Sequence, residues 1–204
     1  MGFCTILMSL IIKEILLILA AYLLGSFSFA RLFTRFYSKV NIYKAGNFTA
    51  DAGNVYRNVS KAIGIVCWFI DFMRVYLVLF LTQYFFLKDN PVLLMFVGLA
   101  AVVAHYFPVM HRFLGGHSIL PYLALLAYFA PIPTLLVAMI SGIIIIAYKQ
   151  IRFSKYLMVI MVPAVSYFYN PLKNVKVEVK YLLLASIVMG VVNFLISRRH
   201  SSEI

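Results

Sequence analysis

Charge is scarce in this chain, and negative charge scarcer still. Only 12% of the 204 residues are charged, six of them acidic, where a soluble domain carries about a quarter. Too few ionised groups remain to solvate a globular surface, which excludes a water-soluble fold. There are two cysteines, Cys4 and Cys67, in separate apolar stretches with neither paired nor metal-type spacing. That excludes a disulfide framework or a zinc site and leaves them as small lipid-phase residues. No His, Asp or Glu cluster has metal-ligand spacing, and no Gly-x-Ser-x-Gly elbow is present, so neither metal nor cofactor is expected. Repeats and low-complexity tracts are missing as well. The first stretch lacks a basic n-region and a small-residue cleavage pattern. It runs through Lys13 and Glu14 into a long apolar segment and reads as a retained helix.

What the chain has instead is hydrocarbon: 64% of its residues are hydrophobic and its mean hydropathy is +0.98. One bilayer crossing takes about 20 residues, so the chain supplies at most about seven to eight helices, with almost nothing left for a soluble domain. An all-α, polytopic membrane protein of about seven spans follows, as a single membrane domain over residues 1–204. Apolar runs at about 5–33, 62–87, 91–110, 118–130, 132–148, 155–170 and 181–197 are separated by short polar or Pro-marked breaks. The fourth is too short to cross comfortably. It either tilts, thins the bilayer, or merges with its neighbour through Pro131 and Pro133 to leave six spans.

A net charge of +12 does not point to nucleic acid, because no soluble face exists on which to build a basic groove. Anionic headgroups and an anionic substrate are the expected partners. Cytoplasmic segments collect Lys and Arg. With the N-terminus outside, the inner segments hold Arg31, Arg35, Lys39, Lys44, Arg57, Lys61, Arg112, Lys149, Arg152, Lys155, Arg198 and Arg199. The outer ones hold Lys13, Lys88, Lys173, Lys176 and Lys180. The expectation is a multi-pass protein of the cell membrane, N-terminus outside and C-terminus cytoplasmic, with the loop from Lys173 to Lys180 as the dissenter.

Three groups of polar residues interrupt this pattern. Asp71 and Arg74 lie deep in the second run, where a lone charge costs a few kcal/mol. Their i, i+3 spacing puts them on one helix face, either as an internal ion pair that locks packing or as organisers of a polar site. The stretch from Lys44 to Arg57 is dense in Gly, Asn, Asp and basic residues. It reads either as a cradle of exposed N–H donors for a phosphate or carboxylate, or as an ordinary polar connector. His105-Tyr106-Phe107-Pro108 and Phe113-Leu114-Gly115-Gly116-His117 form a second break. There the paired glycines and histidines serve an anion or a proton, or else simply end a helix at the interface.

These residues resemble a family of membrane enzymes, the PlsY-type acyl-phosphate glycerol-3-phosphate acyltransferases, over nearly the whole chain. The segment from Tyr22 to Phe29 is similar to the family's YLLGSIPF, with Ser28 at the usual proline. Ala45-Gly46-Asn47 and Asn54-Val55-Tyr56-Arg57 match the two halves of GSGNIGATNVLR, with two extra residues between them. Asp71 begins the family's DxxKG, with Arg74 for lysine and Val75 for glycine. His105, Phe107, Pro108, Val109, Phe113, Gly115 and Gly116 match GHxFPVFxxFKGGKGVAT without a gap. Asn193 and, with a one-residue shift, Glu203 resemble HxxN and GTE. The departures are Ala45 for serine, His117 for lysine, Ser118 for the next glycine, and Gly190 for the histidine three before Asn193.

The resemblance implies seven helices with cytoplasmic motifs, and transfer of an acyl group from acyl phosphate to glycerol 3-phosphate in phospholipid synthesis. It gives phosphate binding to Arg57 and to the Gly46-Asn47 and Gly115-Gly116 backbones. Asn54, Asn193 and His117 become the catalytic set, with the imidazole partly replacing the lysine, and Asp71, Arg74 and His105 give structural support. The alternative is a non-catalytic homologue that binds lipid or a partner chain, favoured by Ala45, His117 and Gly190. A small transporter has only Asp71 and Arg74 behind it and lacks inverted repeats. Oligomeric state is not legible.

Overall fold

The computed structural model describes residues 2–88, 90–168 and 177–201, and among these every regular element is helical. In chain order they are α1 (Gly2–Gly25), α2 (Phe29–Tyr37), α3 (Ala52–Asn58), α4 (Lys61–Phe85), α5 (Pro91–Tyr106), α6 (Leu120–Phe129), α7 (Pro131–Tyr148), α8 (Ile151–Phe168) and α9 (Val179–Ser201). Among the described residues, five segments are long and apolar enough to cross a bilayer: Met8–Tyr37, Lys61–Phe85, Pro91–His111, Pro131–Tyr148 and Val179–Ile196. Two shorter apolar helices, Leu120–Phe129 and Phe153–Phe168, bring the apolar segments to the seven expected. The fourth does not merge with the fifth. Ala130, at φ −137° and ψ 69°, leaves the helical region and α7 restarts at Pro131. The missing N–H of proline is no loss at a helix start.

Helix ends follow from capping chemistry. Ser28, Asp51, Ser60 and Asn90 each accept a backbone N–H of the first turn of α2, α3, α4 and α5, satisfying donors that have no intrahelical partner. Residues 1–121 form one compact unit and 122–204 another. In the first, α1 packs on α5 and α4 on α3 and α5. A Cβ on Gly25 would fall 2.3 Å from the Ala101 carbonyl oxygen, and Ala21, Ala101 and Ala104 continue this seam, all buried. Small residues are how lipid-embedded helices gain contact, since hydrocarbon offers no hydrophobic incentive to associate. In the second unit, α7, α8 and α9 pack in sequence. Ser154 donates to the Ser141 carbonyl at 3.3 Å, and Ser186 meets the Val159 carbonyl at 2.8 Å and the Tyr122 hydroxyl at 3.0 Å. Leu16, Leu19, Leu24, Phe69, Ile143 and Ile160 stay exposed, as lipid-facing side chains should.

Candidate active site

The connection from α2 to α3 is folded around one side chain. Asn41 caps a 3-10 turn over Ile42–Lys44, and Gly46 follows at φ +59°, a left-handed conformation that glycine adopts without strain. A Cβ there would also strike the amides of Asn54 and Asn58 at 2.2 and 2.1 Å. Asn54 is fully buried. Its Nδ2 donates to the carbonyls of Ala45 at 3.0 Å and Thr49 at 2.8 Å, while its Oδ1 accepts from Asn58 Nδ2 at 2.8 Å and from the Asn47 N–H at 3.4 Å. All of its hydrogen-bonding capacity goes into the loop, so it shapes the site from behind.

Asp51 joins this loop to the second polar segment. Oδ1 caps α3 through the Asn54 N–H at 2.8 Å. Oδ2 accepts from the Thr49 hydroxyl at 2.6 Å and from the His117 N–H at 3.3 Å, across 66 positions of sequence. The second segment is pinned elsewhere by three tyrosines. Tyr22 donates to the Phe107 carbonyl at 2.6 Å, Tyr43 to that of Leu114 at 3.0 Å, and Tyr106 to that of Ser118 at 2.6 Å. Burial pushes the Tyr43 phenol above its ordinary range, against the smaller opposing pull of Arg31. It therefore stays protonated and donating throughout the neutral range. Gly115 and Gly116 are required by approach: a Cβ on Gly115 would sit 2.2 Å from the Tyr106 carbonyl oxygen, and one on Gly116 2.8 Å from His105 Nε2 and 3.0 Å from the Ala50 carbonyl oxygen.

His105 is not a loop residue; it is buried in the last turn of α5. Arg74 donates to His105 Nδ1 at 2.9 Å and to the Phe27 carbonyl, and lies 3.7 Å from Asp71 Oδ1. Because Nδ1 accepts, the imidazole proton belongs on Nε2, the atom that faces Gly116. The ion pair expected on α4 is thus part of a three-residue cluster against the glycine segment, and both readings of Asp71 and Arg74 describe the same arrangement.

Of the residues singled out by sequence, Gly46, Asn47, Asn54, Arg57, Asp71, Arg74, His105, Gly115, Gly116 and His117 all belong to the first unit; Asn47 is bonded to Asn54, Asp51 joins Asn54 to His117, and Gly116 is bonded to His105, which meets Arg74. Arg57 is exposed in the last turn of α3, and a Cβ on Gly53 would lie 3.7 Å from its guanidinium. Asn193 is half-buried on α9 in the second unit. Gly190 stands one turn before it, with nothing within 4 Å of an added Cβ. Glu203 lies outside the described residues. Asp51, Thr49 and Tyr43 were missed. The motif Asp51-x-x-Asn54 ahead of a short helix was a legible N-cap signal, but its reach to His117 was not. Among the described residues no group of three or more His, Cys, Asp or Glu side chains forms a metal site.

Comparison with known proteins identifies the family and the fold. The glycerol-3-phosphate acyltransferase family model matches residues 15–204. Curated glycerol-3-phosphate acyltransferases of Mycoplasmopsis pulmonis and Aquifex aeolicus are each 33% identical, over 65% and 52% of this chain and 60% and 55% of their own length. That of Bacillus cytotoxicus is 29% identical over 68% of this chain and 69% of its own. The chain thus spans little more than half the length of the first two. The fold is that of a crystallised integral membrane glycerol 3-phosphate acyltransferase in its glycerol 3-phosphate form, with a TM-score of 0.77 at 23% identity over 93% of this chain and 90% of that one. Its lysophosphatidic acid form gives 0.75 at 22% identity. With a model match over almost its whole length, this polytopic membrane protein belongs to the glycerol-3-phosphate acyltransferase family.

Proposed function

We propose that the chain transfers an acyl group from acyl phosphate to a hydroxyl of glycerol 3-phosphate at the joined loops 45–57 and 113–118. The observation that carries this is the Asp51 to His117 bond, which joins the loop that leads into α3 and Arg57 to the glycine segment. In the reaction the hydroxyl oxygen forms a new C–O bond to the acyl carbon, and the mixed-anhydride C–O bond to phosphate breaks. The departing phosphate takes the hydroxyl proton. A donor this activated needs little covalent help, so positioning and anion stabilisation supply most of the rate. Arg57 and the backbone N–H groups of Gly46 and Gly115 hold phosphate. Asn54 and Asp51 are positioning residues, and the His105 carbonyl, which accepts the Gly116 N–H at 3.2 Å, supports the glycine segment.

His117 occupies the place of the relatives' lysine and tests the assignment. His117→Lys puts a fixed ammonium where the imidazole stands and should raise the rate of acyl transfer by purified protein about tenfold, equivalent to roughly 1.4 kcal/mol of restored phosphate stabilisation. If wild type transfers no acyl group, and adding Ala45→Ser and Gly190→His to His117→Lys leaves it silent, the non-catalytic, lipid-binding reading replaces this one.

We also propose that both loops face the cytoplasm, with the N-terminus outside. The charge bias supports this. In a background with Cys4 and Cys67 replaced by serine, a cysteine at Arg112 should resist an impermeant thiol reagent applied to intact cells and react after lysis. Prompt labelling from outside would overturn the orientation.

A further inference from the structure

A polar cavity lies beside α2. It measures about 340 Å³ and is lined by Arg31 and Arg35 of α2, Lys39, Asn41 and Tyr43. Three cations meet here, and none of them forms an ion pair with a carboxylate among the described residues. Like charges gathered without a counter-charge repel one another, so an anion between them is stabilising. Arg31 and Arg35 are one helical turn apart and share a face, and Arg31 lies over the Tyr43 ring at 5.9 Å.

The opposite face of α2 says where this cavity sits. Phe29, Phe33 and Tyr37 form a ladder with ring centroids 6.1 and 5.9 Å apart, and Phe36 and Tyr37 are 72% and 74% exposed. α2 ends the apolar segment Met8–Tyr37, and a short helix with an aromatic ridge on one side and arginines on the other suits the membrane interface, its apolar face toward the boundary between headgroups and acyl chains. That placement would put the cavity at headgroup depth, where the commonest anion is a lipid phosphate.

We propose that this cavity binds the phosphate of an anionic phospholipid, outside the acyl-transfer site. It does not depend on the proposed reaction. Tyr43 forms one wall and donates to the Leu114 carbonyl beside Gly115, so a headgroup that fixes Arg31 on the Tyr43 ring also holds the glycine segment.

The test uses the full chain in phosphatidylcholine vesicles containing a trace of spin-labelled phosphatidic acid, reading the motionally restricted fraction against spin-labelled phosphatidylcholine. Wild type should select phosphatidic acid. Arg31→Gln/Arg35→Gln/Lys39→Gln should lose that selectivity by a factor on the order of fivefold per cation at low salt, less at high salt. Lys88→Gln/Lys149→Gln/Lys180→Gln, which removes equal charge elsewhere, should keep it. Should the triple variant fail to insert, Arg35→Gln/Lys39→Gln alters only exposed side chains and should lose part of the selectivity. Unchanged selectivity in the cavity variants, or an equal loss in the control, overturns the proposal. Displacement of the labelled lipid by millimolar inorganic phosphate or glycerol 3-phosphate would assign the cavity to a soluble anion and overturn the headgroup as its ligand.

Discussion

Arg57→Ala is expected to lower kcat/KM for acyl transfer by about a hundred- to a thousandfold, with little change in the melting temperature. Its guanidinium is exposed at the end of α3 beside Gly53, so truncation removes no buried contact. A charge-assisted hydrogen bond contributes roughly 1.5–3 kcal/mol, and a guanidinium engages phosphate through two. The upper part of that range therefore falls on substrate binding and on the transition state. Arg57→Lys keeps the charge but loses the planar fork, and should retain an intermediate rate. Steady-state kinetics on the purified protein separate the two cases. A rate for Arg57→Ala within threefold of wild type would remove this arginine from the site.

The largest effect on stability is expected from Asp71→Leu. Asp71 is 2% exposed and the Arg74 side chain 8%, so removing the carboxylate strands a largely enclosed guanidinium in the bundle at a cost of about 3–5 kcal/mol. Asp71→Leu/Arg74→Met removes both charges and should be less destabilised than the single variant, although it also gives up the bonds to His105 and the Phe27 carbonyl. Unfolding in detergent of Asp71→Leu, Arg74→Met and the double variant, followed by loss of a folded-state signal, supplies the three values of the cycle. A loss in the double variant equal to the sum of the two single losses would show the pair to be uncoupled.

The sequence by itself determined the bilayer setting, the seven apolar segments and the polar breaks between them. Those properties are local: a span is legible because some 20 consecutive side chains must each tolerate hydrocarbon. The glycine motifs and Arg57 could be picked out because particular residue types are needed wherever a backbone approaches an anion.

Only the tertiary structure decided what those residues do to one another. Asp51 meets His117, Tyr43 meets Leu114, and Arg74 of α4 meets His105 of α5, pairings between segments with no periodicity to connect them. Asn54 looks like a substrate contact in the chain, yet in the fold it spends its whole amide on Ala45, Thr49, Asn47 and Asn58. Hydropathy says which residues must leave the lipid. Which partners they find depends on how the helices pack, and a hydrogen bond, effective only near 3 Å, is decided by that packing.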